Sequence, residues 1–110
     1  MDDRLQSEHC AEVLSALAAP ERLRIIQFLL DGPRNVTEIA AMLGAPMVNI
    51  SHHMGVLRQA HLVESRKQGR FVIYSLIPGL LESGAAGQSE RLNLGCCRLE
   101  LPPETEPPAS

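Results

Sequence analysis

The side chains best equipped for chemistry in this 110-residue chain are its three cysteines, its four histidines and a short run of cations. Cys96 and Cys97 are adjacent in the stretch NLGCCRLEL, while Cys10 lies near the opposite end. Adjacent residues make an awkward disulfide, because their Cα atoms sit about 3.8 Å apart across a trans peptide, against roughly 4.4–6.8 Å in ordinary bridges. A strand would also send the two side chains to opposite faces. Either Cys96 and Cys97 are two unrelated small hydrophobes, or the backbone after Gly95 is irregular and both sulfurs converge on something. Gly95 supplies the conformational freedom that convergence needs. Soft thiolates select soft ions. With Cys10 as a third donor, the set suits a trigonal-pyramidal As(III) or Sb(III) centre, whose lone pair fills the open position. Another soft metal ion is compatible, although zinc asks for four donors in a tetrahedron. His9, beside Cys10, is a poor fourth, since adjacent helical residues point about 100° apart.

Plainer readings stand beside these. Cys10 shares an apolar face with Val13 and Leu14, and a buried cysteine often serves only as a small hydrophobe. A vicinal pair in a tail outside the core has less packing reason to exist. Cys10 is also able to form a disulfide or polysulfide with one tail thiol. An odd number of cysteines, with no export signal before them, predicts a reducing cytoplasm and free thiols. The longest apolar runs, such as Leu14 to Pro20, fall far short of a membrane span, which predicts no membrane partner. The net charge is −3, yet it is unevenly spread. Residues 1–19 carry one basic and four acidic groups, residues 72–110 two and five, and the middle segment seven and four. A positive centre between acidic ends is an electrostatic footprint for phosphate.

The elements that must position these groups follow from periodicity. Cys10, Val13, Leu14, Leu17 and Ala18 recur at helical spacing. Pro20 fits the first position of a second helix through PERLRIIQFLL, with Leu23, Ile26, Phe28, Leu29 and Leu30 as its apolar stripe. DGP at 31–33 ends it. Asn35 and Glu38 have capping-box spacing at the head of a short helix that closes at Gly44. A further helix reads MVNISHHMGVLRQAH, with Ile50, Met54 and Leu57 inward and Val48, Asn49, His52, Gly55 and Gln59 outward. The period then changes to two. LVESRK and RFVIYSL form a hairpin joined at Gln68-Gly69. Beyond Pro78, a glycine-rich stretch supports one short helical turn at most. RLNLGCCRLEL alternates on both sides of Gly95 as a strand does, although Leu92, Cys96 and Leu99 also fit a helix. PPETEPPAS has the composition of a disordered tail.

Two short helices joined by a glycine-containing turn and followed by a hairpin make a winged helix-turn-helix, a mainly α fold with a small β-hairpin. LAAPERLRIIQFL and NVTEIAAMLGAPMVNISHHMGVLRQAHLVESRKQGRFVIYSL, with their spacing, resemble the ArsR/SmtB family of metal-responsive bacterial repressors across roughly residues 11–77. The resemblance implies a cytoplasmic homodimer that binds double-stranded operator DNA and leaves it when an inducer binds. No cofactor is obligatory. Positions matching Met47, Val48, Asn49, Ser51 and His52 touch DNA in the family, and a helix end in a major groove needs short polar side chains for base edges. Arg66, Lys67 and Arg70 at the hairpin tip suit the DNA backbone or minor groove. Pro46 stands where the family usually has a capping serine. The expected division is residues 1–77 as the DNA-binding domain, 78–101 as a segment carrying the cysteine pair, and 102–110 as the tail.

The family places inducer sites in several locations. A Cys-x-Cys pair on the first helix of the helix-turn-helix is absent here, because NVTEIAAML has no thiol. A zinc site of Asp and His residues on a long C-terminal helix is absent too, since no histidine follows His61. Cys96 and Cys97, with Cys10, remain as the inducer ligands. The alternatives are a thiol-redox or persulfide-responsive repressor of the same fold, or a winged-helix DNA-binding or protein-interaction module with no inducer. A thiol enzyme is disfavoured, because no phosphate-cradling loop or helix N-terminus precedes any cysteine.

Overall fold

The computed structural model describes residues 3–82 and 90–101. Helix α1 spans Asp3–Leu17, α2 Pro20–Leu29, α3 Val36–Leu43 and α4 Met47–Gln59. Strand β1 is Arg34–Asn35, β2 Val63–Gln68, β3 Phe71–Leu76, β4 Leu81–Glu82, β5 Glu90–Asn93 and β6 Arg98–Leu101. The strands form two three-stranded antiparallel sheets, ordered β1-β3-β2 and β4-β5-β6.

Local chemistry accounts for the helix boundaries. Pro20 sits in the first turn of α2, where a missing N–H costs nothing. At α3 the capping box is complete: Glu38 N–H donates to Asn35 Oδ1 at 2.8 Å, and Asn35 N–H donates to Glu38 Oε1 at 2.9 Å. Gly44 ends that helix in the left-handed region at φ 63°. Pro46 precedes helix α4 and gives it no side-chain cap, as the missing serine predicts.

One core holds the elements together. Ile25, Ile26, Ile39, Ile50, Met54, Leu57, Leu62 and Leu92 are its most deeply buried large side chains. The inner face of α4 is the predicted one. Two expected stripes are rotated. On α1, Val13, Ala16 and Leu17 are buried while Leu14 is exposed, as is Ala18 just past the helix end. On α2, Ile25 takes a core position, and Phe28 and Leu30 are half-buried against it. Phe28 lies instead beneath the Arg34 guanidinium, 4.2 Å from ring centroid to Cζ, a cation–π contact.

The wing is larger than a hairpin. β2 and β3 pair from Val63↔Leu76 to Gln68↔Phe71, so the turn is Gly69-Arg70, one residue beyond the expected junction. β1 adds a third strand through Arg34↔Tyr74 and Asn35↔Ile73. Two residues carry too little periodicity to announce a strand, and only the pairing defines it.

The C-terminal segment is extended, and the helical alternative for Leu92, Cys96 and Leu99 is set aside. β5 and β6 pair in register from Glu90↔Leu101 to Asn93↔Arg98, around a four-residue loop, 94–97. Leu80, Leu92, Leu94 and Leu101 enter the same core as the helices, and Cys97 packs against it. Cys97 therefore does not lie outside the core. The tail expected at 102–110 falls outside the described residues.

Candidate thiol cluster and DNA-facing surface

The loop between β5 and β6 answers how adjacent cysteines share one locus. Gly95 adopts φ 87°, a region that disfavours other residues. Its N–H donates to Asn93 Oδ1 at 3.0 Å, and Leu94 N–H donates to Cys97 O at 2.9 Å. The Asn93 amide donates to Glu82 Oε2, and Arg98 pairs with the same carboxylate at 3.3 Å, bracing both ends of the loop against β4. So held, the loop brings Cys96 Sγ within 3.9 Å of Cys97 Sγ.

Helix α1 supplies the third sulfur. Cys10, Cys96 and Cys97 are all half-buried, and their Sγ atoms lie within 4.8 Å of one another. Thiolates about 2.3 Å from a shared ion sit roughly 3.8 Å from each other; Cys96 and Cys97 already have about that separation, whereas Cys10 and Cys96 have to part to reach it. The expectation of three free thiols is corrected, and the alternative of a disulfide from Cys10 to one tail thiol is the one found: Cys10 and Cys96 are bonded with Cα atoms 5.8 Å apart, and Cys97 is free. The two residues are 86 apart in sequence, a proximity that periodicity does not reveal. Reduction of this bridge exposes all three donors.

The second surface is formed by α4 and the wing. Met47, Val48, Asn49, Ser51 and His52 are all exposed on the first two turns of α4. Arg66, Lys67 and Arg70 are exposed around the β2–β3 turn. Gly69 takes φ 61° there, which lets the strands reverse in two residues. Residues 47–71 hold four cations, Arg58, Arg66, Lys67 and Arg70, against the single acid Glu64. All eight residues of the expected set are exposed, on two elements of the same half of the chain.

One polar connection between these regions had no sequence signal. Arg22 Nε donates to the Ala16 carbonyl in the last turn of α1, and Arg22 Nη1 lies 3.3 Å from His53 Nδ1 on α4. Burial holds the His53 pKa below its ordinary 6.5, and the Arg22 charge lowers it further; Glu21 opposes the shift and His52 adds to it. Arg22 thus ties α1 to α4 through Ala16 O and His53 Nδ1. An i-to-i+31 pairing is invisible to a helical pattern.

Comparison with known proteins agrees with this architecture. The sequence model of the bacterial regulatory protein, arsR family, matches residues 19–65. The HTH-type transcriptional regulator NmtR of Mycobacterium tuberculosis is 38% identical over 97 residues, covering 84% of this chain and 80% of that protein. Reduced HlyU from Vibrio cholerae superimposes with a TM-score of 0.65 at 32% identity, covering 69% of this chain and 80% of that one. A homodimeric winged helix-turn-helix DNA-binding domain from Mycobacterium bovis, a possible ArsR-family transcriptional regulator, gives 0.63 at 32% identity, covering 69% and 72%.

Proposed function

The chain belongs to the ArsR family of bacterial regulatory proteins, and from that premise we propose that it is a homodimeric repressor released from operator DNA when a thiophilic ion binds Cys10, Cys96 and Cys97. It is a transcriptional regulator and not an enzyme, as are the relatives that define its family. The observation that carries the finer reading is the cluster itself: three Sγ atoms from two distant segments within 4.8 Å. Among the described residues, no other group of three or more His, Cys, Asp or Glu side chains is so placed. Three sulfur donors favour As(III) or Sb(III) over zinc. The dimer rests on the homodimeric relative and on exposed Leu14, an apolar side chain on α1 that a second subunit would cover.

In this reading the bases of the operator meet Met47, Val48, Asn49, Ser51 and His52, and its phosphates meet Arg66, Lys67 and Arg70. An ion on the three thiolates joins α1 to the β5–β6 loop and shifts one relative to the other. The Arg22 bridge from Ala16 to His53 carries that displacement to α4 and alters the spacing of the two recognition helices. Coupling of this kind amounts to about 1–3 kcal/mol, and it is reciprocal, so operator DNA weakens ion binding by the same factor.

A second reading has its own observation, the Cys10–Cys96 disulfide. Here the signal is an oxidant: two thiols lose two electrons and two protons, and a peroxide accepts them as water. A relative has been solved in a form described as reduced. Titrating the reduced protein–operator complex with arsenite, antimonite, cadmium, zinc and peroxide in parallel separates the readings. Release by the metalloids at low concentration supports the first, and release by peroxide alone supports the second. Indifference to all five leaves a DNA-binding module with no inducer at this site.

A further inference from the structure

The exposed end of α4 carries two apolar side chains that the fold does not explain. Val48 is 73% exposed and Met47 47%, both in the first turn. Neither packs on the core, where the same helix places Ile50, Met54 and Leu57. They share the first two turns of α4 with Asn49, Ser51 and His52, polar groups facing solvent, and the wing that follows this helix exposes Arg66, Lys67 and Arg70. A surface of that charge fits a polyanion better than an apolar protein face, so the apolar pair needs an apolar target within a nucleic acid. In the major groove of a DNA duplex, the thymine C5-methyl is that target.

Resting on the reading of α4 as the recognition helix, we propose that Val48 reads a thymine methyl in each operator half-site, with Met47 flanking it. Val48 is the better reader of the two. It is the more exposed, and its branched side chain holds one dominant rotamer in a helix, so contact costs little entropy. Met47 has three rotatable bonds and adapts to whatever lies beside the methyl.

The test uses the full-length reduced protein and its own operator, selected from a random pool of duplex DNA. Each thymine of the selected site is replaced in turn by deoxyuracil, which keeps base pairing and removes only the methyl. Burial of one methyl corresponds to about fourfold in affinity per half-site, so symmetric replacement at the read position weakens binding roughly 10- to 20-fold. Val48→Ala binds the thymine operator correspondingly less well and no longer distinguishes it from the deoxyuracil version. Three results overturn the proposal: equal affinity for thymine and deoxyuracil everywhere, a methyl effect that persists in Val48→Ala, or half-sites selected without thymine. If the pool yields no specific site at all, the recognition-helix reading fails together with this one, which sets that case apart from the other three.

Discussion

Reduction of the Cys10–Cys96 bridge is the perturbation whose size the structure fixes most directly. The bridge closes a loop of 86 residues, which removes about 15 cal/mol/K from the denatured chain, or about 4.6 kcal/mol at 25 °C. Native-state strain and residual denatured structure bring measured values nearer 2–4 kcal/mol, so about 3 kcal/mol is expected. With a urea m-value of about 1.5 kcal/mol/M, the unfolding midpoint should fall by roughly 2 M on adding a thiol reductant. The assay is equilibrium urea unfolding followed by circular dichroism at fixed protein concentration, because dimerisation makes stability concentration-dependent. Cys10→Ser supplies the control. It should match the reduced parent and be insensitive to reductant, since Cys97 and Cys96 alone close no long loop. Arsenite added to the reduced parent re-links the same segments, and at about 100 times its Kd it should restore about 2.7 kcal/mol. A parent that unfolds at the same urea concentration with and without reductant would refute the reasoning.

Three further outcomes follow from particular contacts. Arg22→Met removes the donors to Ala16 O and His53 Nδ1 and should cost about 2 kcal/mol. His53 titrates below 6.5 in the folded chain, so its stabilising contribution is present above pH 6.5 and is lost as pH falls towards the lowered value; in Arg22→Met one of the three depressing causes is gone, and thermal melts across pH 5–7.5 should show that window narrow. Asn35→Ala opens both hydrogen bonds of the α3 capping box and should cost about 1–2 kcal/mol in the same melts. Replacing Lys67 and Arg70 together by glutamine should weaken binding to all DNA sequences and flatten the log–log salt dependence by about two; an unchanged slope would take the wing off the phosphates.

Most of the helical framework is legible in the chain because its determinants are local. The capping box of Asn35 and Glu38, Pro20 at a helix start, Gly44 at a helix end and the inward row Ile50, Met54, Leu57 each act within a turn or two. The exposed face of α4 is legible for the same reason, since exposure there follows from the helical period. What the chain conceals is non-local. β1 exists only because Arg34 and Asn35 find Tyr74 and Ile73. The Arg22–His53 pair joins residues 31 apart. Leu14 and Ile25 change places with their neighbours because the facing elements, and not the helix itself, decide which flank is covered. The cysteine cluster is an intermediate case. Residue types and the freedom of Gly95 allow either a soft-donor cluster or a disulfide from Cys10 to one tail thiol, but they do not say which tail thiol bonds, nor that all three sulfurs meet within 4.8 Å.

The release of operator DNA by arsenite, compared between the parent and Cys96→Ser/Cys97→Ser, tests the central claim most directly. Both proteins are reduced, bound to the same fluorescent operator and titrated with arsenite while anisotropy is followed. Neither thiol lies on α4 or the wing, so the two should bind DNA with nearly equal affinity before arsenite is added. If the cluster is the inducer site, the parent's affinity falls by about 5- to 150-fold, the range of an ordinary allosteric coupling, and the double variant's does not change. Equal release of both proteins would contradict the claim, and Cys96 and Cys97 would then be packing residues of the β5–β6 loop.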